Sequence, residues 1–195
     1  VTSNAQYYVD NEALFPGNVV RDGSGTIVEV LAPFRNVGEQ KLQGIDLHSR
    51  YSVEFETLGD LELSGVASYL DQFERRPAEG QPLEDVAGID GVVQWRARAT
   101  AEWSIKDFSV GLTGHYIDSY DRPAADDSIG SWTRFDTRFT WSPEALEGGV
   151  ISAGIDNVLD REPPVDPFLE AWPFVNRALH DNRGRFGFLE YRHSF

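Results

Sequence analysis

Cysteine is absent from the 195 residues, and so is methionine, even at position 1. Without Cys there can be no disulfide, no thiolate nucleophile and no zinc held by Cys ligands. Without an initiating Met, the expectation is a processed protein or a piece of a longer one. No segment has the make-up of a signal peptide, and no run approaches the ~18–20 apolar residues a transmembrane helix needs. Positive charge is scarce: 17 Lys and Arg stand against 32 Asp and Glu, a formal net charge of −15. That balance argues against nucleic-acid binding through a basic stripe. Helical periodicity is nearly missing, apart from one short turn expected around Asn11–Leu14.

Aromatic residues and glycine are plentiful, at 12% and 18 residues. Together with turn signals they suit a β protein. Period-two alternation dominates the chain. Ile45, Leu47, Tyr51, Val53 and Phe55 alternate with Asp46, His48, Arg50, Ser52 and Glu54. After a tight turn at Leu58-Gly59-Asp60 come Leu61, Leu63, Ala67 and Tyr69 against Glu62, Ser64 and Ser68. The clearest strand is expected from Val93 to Ile105. One face is Val93, Trp95, Ala97, Ala99, Ala101, Trp103 and Ile105; the other is Gln94, Arg96, Arg98, Thr100, Glu102 and Ser104. Further strands follow from Phe108 to Tyr116, Trp132 to Trp141 and Ile151 to Asp156. Residues 1–26 read as irregular. Thr26 to Phe55 reads as one long strand interrupted near Val37–Gly44, because no two-residue hairpin signature occurs there.

The last stretch, Arg183 to Phe195, ends inside a strand pattern on an aromatic residue. Leu189, Tyr191 and Phe195 share one face, with Glu190, Arg192 and Ser194 on the other. A final strand of this kind makes sense when it closes a barrel whose apolar face meets lipid. A negative mean hydropathy is compatible with that, since barrel strands alternate.

Connection lengths alternate. Leu58–Asp60, Lys106-Asp107 and Pro143–Gly149 are short; Phe73–Val92, Asp121–Ser131 and Asp160–Arg183 are long. An up-and-down outer-membrane barrel has this asymmetry, with short periplasmic turns and long outer loops. Trp95 and Trp103 lie eight residues apart on one face, about 26 Å along a strand at ~3.3 Å per residue. Tilted, that projects to roughly 20 Å, close to the band between aromatic girdles; Trp141 belongs to the same set. Seven strands are counted. A single-chain barrel starts and ends in the periplasm with an even count, so at least one strand is expected upstream.

Three segments then carry a family resemblance. The first is Asn36-Val37-Gly38 followed by Gly44-Ile45-Asp46-Leu47. The second is Asp156-Asn157-Val158-Leu159-Asp160-Arg161-Glu162-Pro163-Pro164, and the third is Gly184-Arg185 to Phe195. In order and spacing they span about residues 26–195. They resemble the C-terminal end of a TonB-dependent receptor, the 22-stranded outer-membrane transporter family. Leu159 stands where that family often has Phe, and His193 where it often has an aromatic residue.

The resemblance implies an all-β, antiparallel up-and-down transmembrane β-barrel, of which this chain is a C-terminal segment of seven to eight strands. Residues 1–26 would be an extracellular loop region or incomplete strand, and 27–195 the C-terminal barrel strands. It implies the outer membrane of a Gram-negative bacterium and uptake of a scarce nutrient: siderophore-bound iron, cobalamin or an oligosaccharide. Implied partners are outer-membrane lipid, the assembly machinery reading Leu189, Tyr191 and Phe195, the TonB complex through parts outside this chain, and the small-molecule nutrient. No cofactor and no nucleic acid is implied.

Candidate sites are few. The four His residues, His48, His115, His180 and His193, are widely separated, so no metal site is expected. Phe168, Trp172 and Phe174 fit two readings equally: stacking on a ligand such as a sugar or aromatic chelator, or packing their long loop down. The acidic loop residues, including Asp126-Asp127, read as a solvated surface. Arg96, Arg98, Arg134, Arg138 and Arg192 have two readings, guiding an anionic ligand inward or pairing across strands with Glu54, Glu62, Glu102, Asp136 and Glu190, and pairing is the expectation. No catalytic motif occurs, and enzyme activity is not expected. Two rival readings are a complete eight-stranded barrel acting as anchor or lipid-modifying enzyme, and a soluble carbohydrate-binding β-sandwich.

Overall fold

Strands account for most of the structure, a computed structural model that describes residues 5–32, 39–76, 82–169 and 172–194. In chain order come α1 (Ala5–Asp10), a 3-10 turn (Glu12–Leu14), β1 (Val19–Arg21), β2 (Ile27–Val30), β3 (Glu39–Phe55), β4 (Gly59–Arg76), β5 (Glu84–Asp85), β6 (Trp95–Ile105) and β7 (Phe108–Ile117). Then follow β8 (Tyr120–Arg122), β9 (Asp127–Ile129), β10 (Trp132–Trp141), β11 (Gly149–Asp156) and β12 (Phe186–His193). They divide into two compact units, residues 1–41 with 73–85, and 42–72 with 86–195. Among the described residues no helix is long and apolar enough to cross a membrane.

The smaller unit departs from the expected irregular start. Tyr8, Phe15 and Val19 are buried together, with the rings of Tyr8 and Phe15 edge-on at 5.0 Å. β1 and β2 form an antiparallel hairpin. Its turn is built by Asp22, whose carboxylate accepts the backbone N–H of Ser24 at 2.9 Å and of Thr26 at 3.0 Å. This short-range turn satisfies polar groups locally, so residues 27–30 pair backwards with β1 instead of continuing into β3. The single long strand expected from Thr26 is therefore divided, and β3 begins at Glu39. Val37 and Gly38, within the expected break, lie outside the described residues, as does all of Asn36-Val37-Gly38. In the same unit Glu39 pairs with Arg76 at 3.1 Å, and β5 pairs with the end of β4.

The larger unit is a meander in the order β3-β4-β6-β7-β10-β11-β12. Every register from β4 onward is antiparallel and keeps the faces in step. Short turns join β3 to β4, β6 to β7 and β10 to β11. At the first, Gly59 has φ +84°, and a Cβ there would run into the Ser104 carbonyl oxygen, so the position needs glycine. At the second, Lys106 takes φ +52° between Ile105 and Phe108, which face each other. In β3, a Cβ on Gly44 would lie 2.6 Å from the Tyr69 carbonyl oxygen, which explains the glycine in Gly44-Ile45-Asp46-Leu47.

Alternation assigns the two faces. One carries Leu63, Trp95, Ala99, Trp103, Leu112, Phe139, Ile155 and Leu189; the other carries Arg96, Arg98, Thr100, His115, Arg134, Arg138 and Glu190. The apolar face is open: Ile45 is 68% exposed, Leu47 63% and Leu189 78%. A soluble sandwich would bury that face against a second sheet. A complete eight-stranded barrel needs a strand before Val37 paired with both β3 and β12; among the described residues β2 pairs with β1 instead, and β3 and β12 are the two edges of the sheet. An open, two-faced meander with apolar residues outward is what a segment of a larger transmembrane barrel requires.

Candidate functional site

An antiparallel meander places alternate connections at opposite ends. The short turns share one end, and residues 86–94, 118–131 and 157–185 share the other. At that end Val93, Tyr120 and Ile129 form a buried cluster, joined by Ile117 and Leu179. Val93 was expected in β6. It lies just before the strand and packs under the connections, while β6 begins at Trp95. The 118–131 connection is folded, with β8 and β9 pairing as a hairpin. Ile89 bridges Asp121, supported by Asp90 N–H to the Asp121 carbonyl at 2.9 Å and Asp121 N–H to the Gly88 carbonyl at 2.7 Å.

Asp166 ties these connections together. It is fully buried. One carboxylate oxygen accepts Tyr120 Oη–H at 2.8 Å, Arg122 Nε–H at 3.1 Å and Arg122 Nη2–H; the other accepts the Phe168 N–H at 3.1 Å. Arg122 also donates to Asp90 at 3.1 Å. Burial pushes the Asp166 carboxyl up, but the Arg122 guanidinium and Tyr120 hydroxyl outweigh it and hold it below the usual range. Burial, then the Asp166 carboxylate, pushes the Tyr120 phenol up to about 12. A buried charge needs this degree of pairing to persist. Sequence reading missed Asp166; its only signal was an acid amid apolar residues, in Pro164-Val165-Asp166-Pro167-Phe168.

The start of the last connection explains the motif around Asn157. Its side chain clamps a turn, donating to the Arg161 carbonyl at 3.0 Å and accepting the Arg161 N–H at 2.9 Å. Asp160 reaches to the far end of the connection and accepts the Arg185 N–H at 2.8 Å, one residue before β12. His180 is buried edge-on against the Trp132 ring at 5.4 Å. Among the described residues neither of its ring nitrogens has a hydrogen-bond partner. Burial, then the nearby Arg96 charge, holds its pKa below the usual imidazole value. Beside it, Asp181 binds Arg183 at 2.7 Å and Arg134 at 3.3 Å, and Arg183 foremost lowers its pKa to about 2.

The three loop aromatics stand outward. Trp172 is 77% exposed, and Phe168 and Phe174 are less so. Phe168 and Phe174 are brought together through Asp166, whose N–H donates to the Phe174 carbonyl at 2.6 Å. Trp172 is not part of that cluster. At the other end of the strands, Trp103 Nε1–H donates to the Leu58 carbonyl at 2.8 Å, and Trp141 stacks on Phe108 at 6.2 Å. Trp95 lies at the loop end against Tyr69 at 4.7 Å. Leu189 and Tyr191 sit exposed on β12, and Phe195 lies outside the described residues.

The polar face meets expectation unevenly. Arg138 meets Glu190 across strands at 3.2 Å, as expected, but Arg134 pairs with Asp136 at 3.7 Å and Arg192 with Glu190 at 2.8 Å along a single strand each. Glu62 pairs with Arg50 rather than with any of the expected arginines. His115 binds Asp136 at 2.9 Å. Arg96 and Arg98 make no ion pair among the described residues, because the residues opposite them are Ser68 and Val66 on β4 and Ile117 and His115 on β7. Among those residues, too, no group of three or more metal-ligating side chains comes together.

The family model for the TonB dependent receptor-like β-barrel matches residues 3–158. The chain belongs to that family. The match takes in Gly44-Ile45-Asp46-Leu47 and reaches Val158, inside the Asn157 turn. No individually curated protein matches the chain. TonB-dependent receptors are outer-membrane receptors and transporters of Gram-negative bacteria, not a family of enzymes, and they work with TonB and transported nutrients.

Proposed function

We propose that this chain supplies the C-terminal strands and extracellular loops of a receptor that captures a scarce nutrient for TonB-driven uptake. β3, β4, β6, β7 and β10 to β12 are the C-terminal barrel strands, and residues 1–26 belong to an extracellular loop region. The grouping of 1–41 with 73–85, part of a long connection, supports that assignment. Trp95 on one side and Trp103 and Trp141 on the other bracket the lipid-facing band, and Leu189, Tyr191 and Phe195 form the assembly signal.

One observation carries the capture role. The 157–185 connection is braced from beneath by buried Asp166, yet it turns Trp172, Phe168 and Phe174 to solvent. Large exposed rings on a fixed backbone suit stacking on a ligand's flat face, at little ordering cost on binding. The nutrient is a ferric siderophore, cobalamin or an oligosaccharide, and parts of the receptor outside this chain transmit TonB's work.

The test uses the full-length receptor with Trp172→Ala and Phe174→Ala together. Cell binding and energised uptake of radiolabelled ferric siderophores, cobalamin and oligosaccharides are measured. One ligand class is expected to bind and to lose tenfold or more in affinity, with normal amounts of receptor in the membrane. Uptake without any loss of binding would sink the aromatic capture role.

A further inference from the structure

Among the described residues two arginines on the polar face are left without partners, in a chain that carries 32 acidic residues against 17 basic ones. Arg96 and Arg98 make no hydrogen bond and no ion pair among the described residues, whereas Arg134, Arg138 and Arg192 all have carboxylates. With acids in such excess, two free guanidiniums on adjacent positions of one face call for a reason.

Their place in the sheet supplies one. Cross-strand rows put Ser68, Arg96, Ile117 and Trp132 abreast at the loop end, then Val66, Arg98, His115 and Arg134 one step below. These rows floor a cavity of ≈ 500 Å³, and Leu179 and Asp181 of the 157–185 connection help to line it. Three arginines line this cavity with one carboxylate, and that carboxylate is already engaged by Arg134 and Arg183. His115 is likewise engaged by Asp136. What remains uncommitted is the pair Arg96 and Arg98.

We propose that this cavity binds a multivalent anion, a polycarboxylate or polyphosphate group of the transported molecule, through Arg96 and Arg98. Two residues apart on one strand face, the guanidinium stems leave the backbone about 7 Å from each other. That span suits two linked anionic groups better than one isolated carboxylate. Arg presents a planar fork that grips either chemistry with paired hydrogen bonds. A concave site with an excess of positive charge focuses its field, and the acidic balance of the chain disfavours anions elsewhere on the protein. The inference rests on the receptor reading only in calling the anion cargo.

Isothermal titration of the detergent-solubilised full-length receptor at low salt tests it. The probes are tricarballylate for carboxylate, pyrophosphate for phosphate, and maltotriose as a neutral control. Tricarballylate or pyrophosphate binds, and which one identifies the source of the charge; maltotriose does not displace the bound anion. Arg96→Gln and Arg98→Gln each weaken binding about tenfold, the loss of one charge-assisted pair. Lys at either position, keeping charge but not the fork, falls between. Raising the salt weakens binding, and Arg50→Gln, on the same face but outside the cavity, leaves it unchanged. Heat-modifiable mobility on gels shows that each variant is folded. Binding of neither anion would mean that acidic groups elsewhere in the receptor meet these arginines, and would overturn the proposal. So would equal binding by wild type and both Gln variants. Transport is not read here, so a receptor that fails to bind anions could still take up a neutral nutrient.

Discussion

His180 is a buried base without a hydrogen-bond partner among the described residues. Both ring nitrogens are shielded, and burial, then Arg96, keeps the ring neutral at ordinary pH. Its folded pKa lies below the usual 6.5. The unfolded loop therefore takes up a proton as pH falls below 6.5, while the folded loop resists until its own lower pKa is reached. Stability is complete above pH 6.5 and declines as the pH drops through that window. Phe at this position keeps an edge-on ring against Trp132 and removes two unsatisfied polar atoms. His180→Phe is expected to stabilise the 157–185 connection by about 1–2 kcal/mol and to remove its weakening as the pH falls below 6.5. Protease resistance of that connection in the folded receptor measures both effects. Unchanged resistance, with the pH dependence intact, would show that another group, not His180, sets the acid sensitivity of the connection.

At the scale of strands and turns, legibility followed the range of the forces involved. β6, β7, β10 and β12 could be read from alternation because each side chain's fate depends on the face alone. The tight turn at Lys106-Asp107 was equally local. What the alternation could not show was competition between pairings. β2 continues the apolar pattern toward β3, yet the Asp22 turn folds it back on β1. Val93 fits the β6 face but leaves the strand to pack with Tyr120 and Ile129. The Asp166 centre was illegible because it joins residues 44 and 46 apart in sequence. Arg96 and Arg98 were expected to pair, but register sets Ser68 and Val66 opposite them. The face assignment has its own test in β6. Ala99 lies mid-strand on the apolar face and Thr100 on the polar one, bonded to Thr113 at 3.0 Å. Ala99→Arg would place a cation near the bilayer midplane at a cost of ~2–4 kcal/mol, enough to cut assembly sharply. Thr100→Arg faces the wet side and should assemble close to normally. Equal amounts of both variants in purified outer membranes would contradict the assignment.

The whole sheet has two unlike ends, and that asymmetry fixes how it must sit in a membrane. At one end the chain turns within a few residues, at 56–58, 106–107 and 142–148. At the other it makes long connections, two of them folded around Tyr120 and Asp166 with a cavity and exposed aromatics. Translocating the short turns would leave the bulky, charged connections facing the periplasm, opposite to the arrangement of outer-membrane barrels. Among the described residues the edges at β3 and β12 carry unpaired backbone groups that lipid cannot satisfy, so each edge needs a strand partner in a membrane. Epitope tags settle the orientation in the full-length receptor. Inserted between Asp126 and Asp127, or after Trp172, a tag should be labelled by antibody on intact cells. Inserted between Lys106 and Asp107, it should be labelled only after the outer membrane is permeabilised. Labelling of the Lys106-Asp107 tag on intact cells, with the Asp126-Asp127 tag silent, would turn the sheet over. The loop aromatics and the arginine-lined cavity would then face the periplasm, where capture of an external nutrient is impossible.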